Sequence, residues 1–190
     1  MDFAARAFAA DGYHTTSVTS IVDGLGVGKG VFYWYFESKD ELLGEILTGS
    51  LRSMRSAQRE AIAGEHDPAR RIEQGIRASL RWLAEHRHLF TLIEFARTEE
   101  PFATIVRHGD QQTIADALPH VSAGITAGLL RGEDPVILTI AILGVTSQLA
   151  RTLVLERRED ADRAADAAIA FCRQGYLATS ANPALARRIA

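Results

Sequence analysis

Between Thr15 and Leu42 the chain reads TTSVTSIVDGLGVGKGVFYWYFESKDEL, which holds two short helical patterns joined by a glycine-punctuated turn. Thr16 and Ser17 are placed to cap the orphan amides of a helix starting at Val18, and Gly24 and Gly26 end it, with Gly26 as the turn glycine. Val18, Ile21, Val22 and Leu25 recur at helical spacing, Val27 is expected to enter the core, and a second short helix spans Lys29 to Tyr35. Helices joined this closely cross steeply, so one packs behind while the other projects. The projecting segment carries Lys29, Tyr33, Trp34 and Tyr35, an ammonium, two phenols and an indole N–H suited to phosphates and base edges in a DNA groove.

Gly12-Tyr13, Thr16, Ser17, Val18, Ile21, Gly26-Val27, Tyr33, Tyr35-Phe36, Ser38-Lys39 and Leu42 together resemble the signature of the TetR family of transcriptional regulators. The resemblance covers roughly residues 3 to 45. It implies an all-α fold with a three-helix helix-turn-helix DNA-binding domain over residues 1–44 and a helical ligand-binding and dimerisation domain over 45–190. It also implies a homodimer on a palindromic double-stranded operator, a repressor released by a small hydrophobic ligand, and no cofactor. On this reading Thr16, Ser17, Gly28, Lys29, Gly30, Tyr33, Trp34, Tyr35 and Lys39 form the DNA-binding set. Gly28 stands where a serine is common in the family, and glycine caps a helix without offering a hydroxyl. Gly30 and Val31 likewise leave little polar base-reading capacity.

Charge opposes this picture. The chain carries a net charge of -3, and within residues 1–45 only Arg6, Lys29 and Lys39 face Asp2, Asp11, Asp23, Glu37, Asp40, Glu41 and Glu45. Nonspecific DNA affinity comes mainly from cations displacing counterions, so this segment is expected to bind weakly by charge alone. The family usually has a basic arm before the position of Asp2, which directs attention to the reading frame upstream of Met1. A helical sensor of the same fold with weak or lost DNA binding is therefore the alternative.

A single cysteine, Cys172, leaves no intrachain disulfide, and the absence of a basic-then-apolar leader gives the expectation of a cytoplasmic location. The apolar run Pro135 to Leu155 is interrupted by Thr139, Thr146, Ser147, Gln148, Arg151 and Thr152, which favours a buried interface helix over a membrane span.

Along the chain, a first helix is expected over Asp2 to Asp11, and Ser38 with Glu41 forms a capping box for a long helix carrying Leu43, Leu47, Leu51 and Met54. Asp67 and Pro68 start another, with Ile72, Ile76, Leu80 and Leu83 inward and Trp82 off the stripe. Further helices follow over Arg87 to Arg97, from Phe102 with an interruption near Pro119, from Pro135, and from about Asp160 to Tyr176, with a loosely ordered tail beyond Thr179. Ile137, Ile140 and Gly144 on one helix and Ala165, Ala168, Ile169 and Cys172 on the last are expected to build a two-fold dimer interface.

Trp82, Phe90, Phe95, Phe102 and His108 are the expected lining of an apolar ligand pocket. His86 and His88 point about 200° apart on a helix, so no metal site is assigned. Glu94, Glu99 and Glu100 are read as surface charge, and no nucleophile–base spacing or phosphate-cradling loop supports an enzyme.

Overall fold

Ten residues, Asp2–Asp11, form α1 with Ala4, Ala5 and Phe8 buried on one face, and Gly12 closes it. The chain turns through Tyr13 and Thr16 into α2, Val18–Leu25, whose N-cap Ser17 accepts from the Ser20 amide while the Ser20 hydroxyl accepts from the Ser17 amide. This reciprocal cap satisfies two groups that the start of a helix otherwise leaves open. At Gly26 the backbone is left-handed, φ 67° and ψ 29°, a conformation that costs a side chain with Cβ roughly 1–2 kcal/mol. The chain thereby turns into α3, Lys29–Tyr35.

These are the first elements of a computed structural model that describes residues 1–176; the tail expected beyond Thr179 lies outside the described residues. Ser38 caps α4, Lys39–Ile62, by accepting from the Glu41 amide, and the Glu41 carboxylate returns to the Glu37 amide. Next come α5, Pro68–Glu85, capped by Asp67, and α6, Arg87–Ala96. A 24-residue α7, Ala103–Thr126, runs straight through Pro119 instead of breaking there. Pro119 is exposed, so the ring sits on the solvent side of the helix. Then α8, Pro135–Leu149, continues as a π-helical segment Ala150–Glu156, and α9, Ala161–Tyr176, closes the described chain. The architecture is all-helical.

The core is continuous from head to body. Leu43 and Leu47 on α4 are fully buried, as is Leu80 on α5. The α4 helix packs on α5 and α7, with α5 in turn against α9, and α1 lies on α6. Gly109 lets α7 approach α4 closely: a Cβ there would stand 2.7 Å from Leu51 Cδ1. Two expected core positions in the head lie outward instead, Leu25 at 50% and Val27 at 39% exposure. A two-turn helix has only one packed turn's worth of inward positions, and Ile21 and Val22 fill them.

Candidate nucleic-acid interface and ligand cavity

On α3 only Phe32 turns inward, so the rest of the helix is presented to solvent. Tyr33, Trp34 and Tyr35 are 57%, 79% and 64% exposed, and Val31, Lys29, Gly28 and Gly30 lie open beside them. No hydrogen bond or ion pair engages Lys29 among the described residues. A Cβ at Gly28 or Gly30 would meet nothing within 4 Å, so the helix start is a bare surface that another molecule can approach closely.

Two residues expected at the DNA surface are employed inside the head. Thr16 is buried, and its hydroxyl donates to the Gly12 carbonyl at 2.8 Å, because the chain reversal after Gly12 folds it under the turn. Lys39 is half-buried: its ammonium donates to the carbonyls of Tyr13 at 2.8 Å and Thr16 at 3.0 Å, and lies 4.3 Å from the centre of the Tyr13 ring. It pins the α1–α2 turn to the start of α4. Ser17 is exposed, with its hydroxyl oxygen committed to capping α2.

The junction between head and body is aromatic. Tyr13 is buried against Phe8, Phe95 and Phe102 and donates its phenol to Asp40. Burial first, and the Asp40 carboxylate second, push that phenol far above its ordinary pKa. Where α6 meets the start of α1, His88 lies 3.4 Å from Asp2 without hydrogen-bond geometry, and burial followed by nearby Arg6 hold its imidazole below the ordinary value.

The body contains a cavity of about 200 Å³ bounded by α4, α5, α7 and α8, with Ile72, Ile76, Val121 and Ile142 on its walls and Arg55, Arg59, Arg71, Asp116 and His120 among its lining. A second, of about 300 Å³, adjoins it through shared residues Gln58, Ser79, Thr113, Leu143 and Thr146. In the second cavity Arg97 is held by Glu94 and Asp110, and Arg151 pairs with Glu94. Glu94 is thus a half-buried hub and not surface charge.

Comparison with known proteins resolves the head. Residues 1–46 match the family model described as bacterial regulatory proteins, tetR family. Over those residues the chain is similar to the TetR family. It is 32% identical over 93 residues to the HTH-type transcriptional repressor KstR2 of Mycobacterium tuberculosis, covering 49% of this chain and 46% of that one. To the HTH-type transcriptional regulator YhgD of Bacillus subtilis it is 29% identical over 100 residues, covering 53% and 46%. The aligned stretch is about half the length of these relatives. Among solved structures, the regulator PfmR from Thermus thermophilus superposes with a TM-score of 0.78 at 23% identity, covering 91% of this chain and 96% of that one. The ketosteroid transcriptional regulator KstR2 of Mycobacterium tuberculosis gives 0.74, also at 23%, covering 93% and 92%. At these identities the likeness establishes the TetR fold.

In the body the expected site residues are largely elsewhere. Of the expected pocket set, Phe90 lines the second of these two cavities and the others line neither. Trp82 is buried, donates to the Ser53 hydroxyl at 3.2 Å and stacks on His86. Phe95 and Phe102 belong to the Tyr13 junction, and His108 is exposed beside Gln112. Large aromatics packed where two units meet leave no void; the cavity opens where shorter side chains face each other. One signal for it was readable: Thr139, Ile142 and Thr146 share a stripe, and hydroxyls inside an otherwise apolar stripe are unusual in plain core.

The expected dimer face also divides. Ile137 and Ile140 are 57% and 51% exposed and Gly144 is open, whereas Ala165, Ala168, Ile169 and Cys172 are buried where α9 packs on α5 and α8. Small side chains on α9 permit close approach, and its own chain uses them. The outward apolar positions of α9 are Ala167, Ala170 and Phe171, the last 65% exposed, beside the exposed Arg163, Asp166, Arg173 and Gln174. Pro135–Glu156 is long and apolar enough to cross a membrane by length and composition, and 28% of its most apolar window is buried inside the chain.

Proposed function

We infer that this chain is a DNA-binding transcriptional regulator, a repressor that acts as a homodimer and leaves its operator when a small ligand occupies the body. The carrying observation is the row Tyr33, Trp34 and Tyr35, exposed together with Lys29 on a short helix of a three-helix head. Aromatic side chains this exposed gain nothing from the fold, while their phenols and indole N–H suit phosphates and groove edges. We take residues 1–44 as the DNA-binding unit, with Ser17, Gly28, Lys29, Gly30, Tyr33, Trp34 and Tyr35 at the duplex and Lys39 behind them as a brace. Residues 45–190 are then the ligand-binding and dimerisation unit.

A second copy is the natural cover for the apolar outer face of α8 and α9, built from Ile137, Ile140, Gly144 and Phe171. A two-fold axis through it sets two α3 helices on one palindromic site. The α4 helix starts beside α3 and ends at the cavity, so a ligand that shifts its far end changes the spacing of the two heads. Release follows if the ligand binds the misaligned spacing better.

The acidic balance of residues 1–45 favours a second reading, a sensor of the same fold without DNA binding, because Lys39 is engaged internally and leaves Lys29 as the open lysine of the head. A duplex selected from random sequence by the purified protein separates the two. One Lys29 per protomer predicts a slope of log affinity against log salt of roughly -2 for the dimer. Failure to enrich any duplex at low salt establishes the sensor reading.

A further inference from the structure

We propose that the cavity between α4, α5, α7 and α8 takes an amphiphile with an anionic head, the head held by Arg59 and Arg71 and the apolar chain lying between Ile72, Ile76, Val121 and Ile142. This rests on reading the body as a ligand-binding unit and specifies what it binds.

The two adjoining cavities differ in charge. In the second, two cations, Arg97 and Arg151, meet two carboxylates, Glu94 and Asp110, so its charges balance. The first is lined by three guanidiniums, Arg55, Arg59 and Arg71, and one carboxylate, Asp116. Arg55 takes most of it: its Nε donates to Asp116 at 2.7 Å and another of its nitrogens donates to Gln112. Arg59 is left 3.7 Å from the same carboxylate and is 53% exposed on its side chain. Arg71 commits only its Nε, to the Glu65 backbone carbonyl. The Glu65 carboxylate accepts from the His66 and Asp67 amides and makes no ion pair with Arg71 among the described residues. His120 completes the lining, and burial, followed by the positive charge of Arg71, holds its imidazole below the ordinary value, so it contributes a neutral polar group.

Unspent guanidinium forks beside apolar walls match a carboxylate or phosphate monoester on a hydrocarbon chain, since each fork can donate two parallel bonds to such a head. A neutral apolar ligand would desolvate these cations without compensation. The hydroxyls of Ser79, Thr139 and Thr146 donate to carbonyls of their own helices, which leaves their oxygens as the polar features of the walls.

The test titrates the full chain with decanoate, decyl phosphate, decan-1-ol and decylamine below their micellar concentrations, reading the thermal midpoint without DNA. The two anions should raise it in a saturable way and the alcohol and amine should not. Arg59→Gln/Arg71→Gln, checked by circular dichroism for an unchanged ligand-free fold, should bind the better anion about tenfold more weakly or worse, the loss of one charge-assisted contact or more. Decanoate acting alone assigns a carboxylate head, and decyl phosphate acting alone a phosphate head. Equal shifts from decan-1-ol, or undiminished anion binding by the double variant, overturn the proposal. Binding without displacement from a selected duplex leaves the proposal standing and removes ligand-driven release. Displacement by decan-1-ol alone keeps release and removes the anionic head.

Discussion

The head and the body of this molecule handle their polar chemistry in opposite ways. The head turns its phenols, indole and free lysine outward on a seven-residue helix and keeps little inside except Tyr13, Thr16 and Lys39. The body draws charge inward, placing Glu94, Arg97, Asp110 and Arg151 around one cavity and Arg55 and Asp116 at another. A rigid surface that meets a partner of fixed shape needs exposed groups on a braced element. A site for a small molecule needs enclosure, and enclosure requires charges to be paired or left waiting for a counterion.

The sharpest way to break this contrast is to collapse the support common to both regions. Leu47 is fully buried on α4, the helix that spans them, so Leu47→Ala should cost about 2–5 kcal/mol of stability by chemical denaturation. A loss under about 1 kcal/mol would mean that α4 does not couple the two units. Next in size, Tyr33→Phe with Tyr35→Phe removes only hydroxyls from exposed rings. Stability should hold, while affinity for a selected duplex falls by about 2 kcal/mol or more per dimer, four hydrogen bonds being lost at roughly 0.5–1.5 kcal/mol each. Retained affinity would make these rings surface ornament.

The two lysines separate the surface from its brace. Lys39→Met should destabilise the fold by about 1 kcal/mol, since its ammonium satisfies two carbonyls in a half-exposed setting. Lys29→Ala should leave stability unchanged and reduce the steepness of salt dependence by roughly one for each protomer.

The smallest effect concerns the junction. His88 packs among Asp2, Arg6 and His86 with its imidazole held below 6.5, so folding favours the neutral ring. Its contribution is complete above the unfolded value of 6.5 and is lost as pH falls from there through the folded value. The thermal midpoint of the parent should therefore drop more between pH 7.5 and 5.5 than that of His88→Gln. Parallel curves would show that the junction is indifferent to this ring.

Local chemistry made the head legible. Ser17 and Ser38 as caps, Gly26 at a left-handed turn and the boundaries of α1 to α4 all follow from bonds made within a few residues of each other. What failed there was long-range. Lys39 reads as a free cation until Tyr13 and Thr16, more than twenty residues earlier, are brought against it. In the body, periodicity found the helices and even the inward stripe of α5, but it could not say which neighbour each stripe would meet. Ala165, Ala168, Ile169 and Cys172 are a packing face in either case, and only the placement of α5 shows that the chain covers them itself.

By itself, then, the sequence determined an all-helical chain, a helix-turn-helix head and the identity of its outward aromatic row, because helix periods, caps and turn glycines act over one or two turns. Tertiary structure alone decided where the body is hollow, which arginines are spent and which face of α9 is left uncovered. Those outcomes depend on which side chains from α4, α5, α7, α8 and α9 come within a few ångströms of one another, and sequence spacing carries no record of that distance.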